Sequence, residues 1–317
     1  MPKPSAVRRD VAAEITNLIL EKLEQGVPPW KRPWRSAPGQ GQRPLRHCGT
    51  NYTGINALYL WALADSRGYS SRYWMTYRQA EQLGAHVRKG ERSAVSVYFS
   101  QFKKTAVSTV TGLSVEKSIR FLRHYLVFNA DQVDGLPAYF YAEPEVEAQA
   151  KPSERQETID RFFARIPATV RHGGSEAYFS PMHDYIQMPK AASFDSMDLY
   201  ASTRLHESVH WTGHASRLAR TFGKRFGDQA YAFEELVAEI GAGLGCSELG
   251  LPNELHQSHA SYVGHWLSIL RGDKSAIIHA AAKAEQAMTY LRAFGDTQPS
   301  DAVEAEQRPS SQMLEAA

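Results

Sequence analysis

The sequence predicts an α+β protein of two domains, and three observations carry that prediction. The chain has 317 residues, 43% of them hydrophobic, which is more than one core comfortably holds. Helical and strand periodicities both occur along it. The two halves also carry opposite charge. Residues 1–142 contain 20 Lys and Arg against 10 Asp and Glu, a net of +10, whereas residues 143–317 contain 16 against 24, a net of −8. Between them EPEVEAQAKPSERQE, from Glu143, is acidic and proline-bearing, and its first part has no periodicity; residues 143–154 are expected as a linker. The expected domains are therefore 1–142 and 155–295. The polar stretch from Gly295 onward is expected to leave 296–317 as a disordered tail.

In the first domain, Val11, Ile15, Leu18, Ile19 and Leu23 recur at helical spacing, and Gly26 with Pro28 and Pro29 stops that helix. WKRPWR, from Trp30 to Arg35, then lies in an extended loop, and residues 42–51 form another. Residues 55–64 and 76–83 read as helices, the second with Thr76 as N-cap. Residues 94–102 and 123–128 read as strands. In the second domain SEAYFSPMHDYIQMP, from Ser175, reads as a β-hairpin, and FDSMDLYASTRLHESVHW as a helix capped by Asp195 or Ser196. YAFEELVAEIGAGLGC reads as a helix burying Phe233, Leu236, Val237, Ile240 and Leu244.

Several function classes drop out. Neither GxxxxGK[ST] nor GxGxxG occurs, which argues against nucleotide hydrolysis and dinucleotide binding. No apolar run reaches the roughly 18 residues of a membrane span, and charges occupy the place of a signal peptide's apolar stretch. A cytoplasmic protein without membrane contact is expected. Cys48 and Cys246 stand far apart with no CxxC, so both are expected as ordinary thiols.

The basic half interleaves cations with aromatics, in WKRPWR, RYWMTYRQ, YFSQFKK and FLRHYLVF. Phosphates pair with the cations and bases stack on the rings, at about 1–3 kcal/mol per base regardless of sequence. This texture predicts sequence-nonspecific binding of single-stranded DNA. The candidate contacts are Trp30, Lys31, Arg32, Trp34 and Arg35, with Arg72, Tyr73 and Lys89. Trp61, Trp74, Phe121 and Phe128 are instead expected to fill the core.

LHESVHWTGH, from Leu205 to His214, carries the chemistry. Positions i and i+4 of a helix share one face, so His206 and His210 can present imidazoles to one metal ion with Glu207 beside them. His214 is excluded as a further ligand on the same helix, since eight rises of about 1.5 Å place it roughly 12 Å from His206. It is expected as a cap or rim residue. The third ligand is expected downstream, where Glu235 and Glu239 sit one turn apart on a largely buried helix, a costly place for carboxylates unless they are paired or metal-bound. Glu235 is the expected ligand, with Glu239 accepting a hydrogen bond from a ligating histidine; Glu234 or Glu239 as the ligand remain alternatives.

Three protein ligands leave a position open for water, as in catalytic zinc sites; manganese is the other ion considered. Peptide hydrolysis is the expected reaction, with Glu207 taking the proton of the attacking water. Tyr262, His256, His259 and His265 are candidates for stabilising the oxyanion. The expected hairpin at 175–189 offers an edge to which a substrate strand could add.

LHESVHWTGHASRLAR followed by AYAFEELVAEIGAGLGCSELG resembles the zincin-type metallopeptidase domain of ArdC antirestriction proteins. ITNLILEKLEQGVPPWKRPW, NYTGINALYLW and RYWMTYRQAEQLGAHVRKGE resemble the single-stranded-DNA-binding domain of the same family, found also at the start of TraC-type plasmid primases. The resemblance implies a gluzincin-type second domain, His206, His210 and Glu235 as ligands, Glu207 as general base, and a conjugative-plasmid protein that protects entering DNA from restriction. Two rival readings are a DNA-guided metalloprotease that removes DNA-bound proteins, its protein substrate unknown, and a DNA-binding protein whose metal is purely structural.

Overall fold

The computed structural model describes residues 10–30, 43–107, 114–141, 152–223, 229–251 and 260–296. Helix α1 (Val11–Glu24) begins where the Asp10 carboxylate accepts the Ala13 N–H, and its buried Val11, Ile15, Ile19 and Leu23 fall four residues apart. Helix α2 (Gly54–Arg67) buries eight of its residues, from Ile55 to Leu63, and stops at Gly68, which takes the left-handed conformation that side chains disfavour. An α-helix apolar on nearly every face must be covered on nearly every face.

One cover is a four-stranded sheet in the order β1-β2-β5-β4. Strand β1 (Leu45–Arg46) runs parallel to β2 (Tyr73–Met75), which pairs antiparallel with β5 (Ser114–Asn129); β5 pairs antiparallel with β4 (Ala94–Val107) from Ala94↔Val127 to Val107↔Ser114. The expected strands are thus the base of a longer two-stranded ribbon. Thr76 caps α3 (Tyr77–Gln82) as expected, in a capping box with Gln79. Strands β3 (His86–Val87) and β6 (Val133–Asp134) pair beside a small cluster of Met75, Ala80, Val133 and Phe140.

The second half opens with α4 (Pro152–Arg165), which starts inside the stretch expected as linker. Proline is well suited to the first turn of a helix because its missing N–H has no partner there anyway. Strands β7 (Thr169–His172), β8 (Tyr178–Ser180) and β9 (Tyr185–Met188) form a sheet ordered β7-β9-β8, so the expected hairpin is present and β8 lies at its edge. Helices α5 (Met197–Thr212), α6 (Gln229–Leu249), α7 (Ala260–Gly272) and α8 (Ala276–Asp296) follow.

The larger hydrophobic core runs across both halves, beside the smaller cluster of the first half. Helix α8 packs on α5 and α6 and also on α2, while α1 packs on α7. Ala280, Ala281, Ala284 and Ala287 on α8 are buried, and side chains this small let neighbouring helices approach. Trp30 meets Trp266 edge-on at 6.0 Å, and the Trp266 indole N–H donates to the Ala232 carbonyl. Arg43, only 2% exposed, donates to the Tyr52 carbonyl and to Glu248 and Glu285 across the junction. The charge border at residue 142 therefore divides surfaces without dividing the core.

A shared core predicts one cooperative urea transition for the full chain, and two resolved transitions would contradict it. Arg43→Ala removes the bonds to the Tyr52 carbonyl, Glu248 and Glu285 while Arg292 still meets both carboxylates, so it should cost about 1–3 kcal/mol in the same measurement.

Candidate metal centre

Helix α5 starts at Ser196, whose hydroxyl accepts the Leu199 N–H, and one face carries Leu205 and Val209 into the core. Those two residues meet α6 where it is bare. A Cβ on Gly241 would fall 2.9 Å from both Val209 methyls, and one on Gly245 would fall 2.7 Å from a Leu205 methyl. The glycines thus set how closely the helices approach, and that spacing brings the next face of α5 to the carboxylates of α6.

On that face the His206 and His210 Nε2 atoms lie 3.2 Å apart, and the Glu235 oxygens lie 3.6 Å and 3.4 Å from them. One ligand atom from each of the three residues falls within 4.8 Å of the others, and all three residues are buried. The far ring nitrogens face carboxylates: His206 Nδ1 is 3.5 Å from Glu239 Oε1 and His210 Nδ1 is 3.3 Å from Glu234 Oε1. A carboxylate facing Nδ1 favours the proton on that nitrogen and the Nε2 lone pair toward the centre; at His210 the Glu234 contact is a hydrogen bond, and at His206 the Glu239 contact is one of charge. Two inward lone pairs and a carboxylate at this spacing are a donor set for a cation. The electrostatics agree. Burial pushes His210 down, yet the Glu235 charge, hydrogen bonds to Glu234 and Glu235, and the Glu207 charge lift it well above the ordinary histidine range. Burial likewise pushes Glu235 up, yet His210 and His206 hold it far below the usual carboxylate range. The centre favours positive charge from either side.

Glu207 stands apart from the three donors. Burial raises its carboxyl, His206 and His210 oppose the rise, and the Phe179 N–H on β8 bonds to it. Tyr231 and Tyr262 have their hydroxyls 3.4 Å apart near Glu235. Burial first, and then the Glu235 charge, raise the Tyr231 phenol; burial is also the main cause at Tyr262, where the Glu235 and Glu207 charges add to it. His214 lies past the end of α5 in a turn with Ser216, its Nδ1 2.8 Å from the Ser216 hydroxyl.

Both halves of the chain resemble known proteins. A family model described as a zincin-like metallopeptidase matches residues 157–283, and one described as the N-terminal domain of anti-restriction factor ArdC matches residues 9–128. The crystal structure of the antirestriction protein ArdC from plasmid R388, metal-free, superposes with a TM-score of 0.75 at 41% identity, covering 92% of this chain and 100% of that one. This chain belongs to the ArdC family. The same R388 protein is known in a Mn(II)-bound form, matched at 40% identity and a TM-score of 0.74 over 91% of this chain and 99% of that one. The uncharacterized protein y4eC of Sinorhizobium fredii is 37% identical over 94% of this chain and 95% of its own length. A DNA primase TraC of Escherichia coli is 36% identical over 93% of this chain, which spans only 20% of that primase.

In this ArdC-family protein a third buried layer, absent from the sequence reading, supports the ligands. Arg220 donates to Glu234, to the Thr212 hydroxyl and to the Val209 carbonyl, tying the end of α5 to α6. Glu234 bridges Arg220 and His210. Nothing in sequence spacing links Arg220 to Glu234. Gly213 gives room for the guanidinium, since a Cβ there would fall 2.8 Å from Arg220 Nη2. Of the proposed oxyanion donors, Tyr262 lies at the site, His265 is half-buried on α7, and His256 and His259 lie outside the described residues.

The expected DNA contacts fare unevenly. Lys31, Arg32, Trp34 and Arg35 lie outside the described residues. Trp30 is a correction: at 1% exposure its ring is enclosed by the core against Trp266 and has no face to offer a base. Arg72 donates its Nε to the Arg43 carbonyl, Tyr73 packs edge-on to Phe140 at 4.9 Å, and Lys89 is exposed.

The donor set predicts that His206→Ala, His210→Ala and Glu235→Ala each strip divalent metal from the purified protein, read by elemental analysis. Glu234→Gln and Glu239→Gln should instead weaken metal affinity about 10- to 100-fold in a chelator competition. Full occupancy in Glu235→Ala would remove it from the ligand set.

Proposed function

We propose that this chain is a cytoplasmic antirestriction protein that binds entering single-stranded DNA through its basic half and carries a metallopeptidase site in its acidic half. The observation that carries the peptidase reading is the buried Glu207, hydrogen-bonded by an edge-strand N–H beside two imidazoles and a carboxylate. A divalent cation held by His206, His210 and Glu235, zinc or manganese, would supply Lewis acidity to a water molecule and a peptide carbonyl.

The chain's own groups do the rest. Burial brings the Glu207 carboxyl nearer to neutrality, which suits it to take a proton from water and deliver it to the leaving amine. The Tyr262 hydroxyl donates to Tyr231, which bonds in turn to Glu235; turned from that chain, either phenol would donate to an oxyanion. Edge strand β8 offers its backbone to an extended substrate, and Phe179 at its centre aligns that edge with Glu207. Three protein donors leave room for water and substrate, which favours a catalytic over a purely structural ion.

Charge supports the DNA part of the reading. Antirestriction by imitation of DNA requires a strongly acidic surface, and a chain of net +2 whose first 142 residues carry +10 does not present one along its length. Action on the DNA itself fits that charge, and coating a strand requires affinity and abundance but no bond cleavage. The likeness to ArdC and to part of a TraC primase supports the same assignment. No helix among the described residues is long and apolar enough to cross a membrane.

The full chain should bind single strands of mixed sequence in preference to duplex and weaken steeply with salt, read by fluorescence anisotropy. Glu207→Gln should retain metal and lose proteolysis by at least about a hundredfold. In a conjugative transfer assay into restricting recipients, Glu207→Ala should still protect, whereas variants that lose strand binding should not. A folded, metal-loaded, DNA-binding Glu207→Ala protein that fails to protect would replace coating with proteolysis as the mechanism.

A further inference from the structure

A cleft of 680 Å³ opens at the junction of the two halves, away from the metal centre, between the start of α2, the edge strand β4 and helix α8. Its walls are mainly apolar, with Ile55 and Val97 from the first half and Ala282 and Tyr290 from the second. Tyr98 forms one rim at 54% exposure, and Arg46, exposed and 5.4 Å over the Tyr52 ring, forms another. The acidic side chain at the wall, Glu285, is already engaged by Arg43, Arg292 and the Gly54 N–H. The cleft therefore presents apolar and aromatic surface with cationic character at its mouth.

The rim continues onto the ribbon. In the β4–β5 register Tyr98 pairs with Arg123, and Tyr125 lies two residues further along the same face. Tyr125 is 51% exposed and Arg123 is also exposed. Tyr98, Arg123 and Tyr125 thus lie together on one exposed face of the ribbon. Ring, guanidinium and ring in succession, leading into an apolar cleft flanked by a second guanidinium, match the alternation of bases and phosphates along a single strand. The cleft is also of the size that holds one nucleotide-sized ligand.

We propose that single-stranded DNA runs over Tyr125, Arg123 and Tyr98 and seats one base in the cleft between Tyr98 and α8, with Arg46 meeting a flanking phosphate. This rests on the DNA-binding reading above and deepens it. The strand site is composite, because α8 supplies one wall. The site reads no sequence, since its walls offer stacking and apolar contact in place of a pattern of base-edge donors and acceptors.

The experiment uses the full chain and a fluorescein-labelled oligothymidylate of about 20 nucleotides, with anisotropy measured across a salt series. Tyr98→Ala should weaken binding about 5- to 20-fold, as expected for one lost stack, with little change in salt slope. Arg46→Gln should weaken it and lower the salt slope by about one. Ala282→Trp changes no charge and lies in the second half at an exposed position of α8; by filling the cleft it should weaken binding to a similar extent. Photo-crosslinking of the unaltered protein to DNA carrying 5-iododeoxyuridine should label Tyr98 or Tyr125. Tyr98→Ala and Ala282→Trp binding within twofold of the parent, or crosslinks mapping elsewhere, would overturn the cleft while leaving single-strand binding in place. A parent chain that binds no single strand would overturn both readings.

Discussion

Burying four carboxylates in one small volume is the constraint on which the rest of the second half depends. Glu207, Glu234, Glu235 and Glu239 are all buried on two adjoining helices. Carboxylates so placed are tolerable only with compensating charge and hydrogen bonds. Arg220 compensates Glu234, the imidazoles of His210 and His206 meet Glu234, Glu235 and Glu239, and a backbone N–H meets Glu207. What remains is a centre that favours positive charge. Closeness is what makes these interactions possible, and closeness depends on Gly241 and Gly245. With side chains there, Val209 and Leu205 would hold α5 away from α6, and every imidazole–carboxylate distance would lengthen together.

The same crowding ties the two halves of the chain together. Helix α8 lies against α5 and α6, where Met288 reaches Gly245, and its alanines also receive α2 of the first half. Apolar residues and charged residues therefore follow different divisions of the sequence. Charge changes sign near residue 142, because surfaces are selected for what they meet in solution. The core continues past that point, because α2, apolar almost all round, needs a second cover besides its sheet. Arg43 lies where the two patterns cross: a cation of the basic half, buried, satisfied by Glu248 and Glu285 of the acidic half.

What was legible in the sequence follows from the range over which each signal acts. Caps and helical stripes are local, so Thr76, Ser196 and the α1 face could be read directly, as could His206 and His210, whose spacing is that of one helical turn. Glu235 was legible one step further, as a carboxylate on an apolar helix, with Glu234 and Glu239 left open beside it. The role of Glu234 was not legible, because Arg220 reaches it across a loop and no periodicity connects them. Trp30 was misread for the same reason: its neighbours in sequence are cations, but its neighbour in space is Trp266. The packing of the two halves on each other was not legible, because α7 and α8 carry no motif, and an alanine-rich face does not announce which helix will lie against it.

The composite core bears on how the two proposed activities combine. Were the domains joined by a free linker, DNA binding would raise the local concentration of a substrate at the peptidase only within the reach of that linker. Here α8 walls the proposed strand cleft with Ala282 and packs behind the metal-site helices with Ala284 and Met288, so the relative position of the two sites is fixed by packing. On the proposed reading, a strand in the cleft would hold the metal centre at one distance and orientation from the DNA. Proteins bound along that strand would meet the centre only if they lie at that distance, a geometric filter that selects targets without sequence recognition in the cleft. Proteins elsewhere on the strand would meet only the coat, which is why protection and proteolysis can share one chain without one depending on the other.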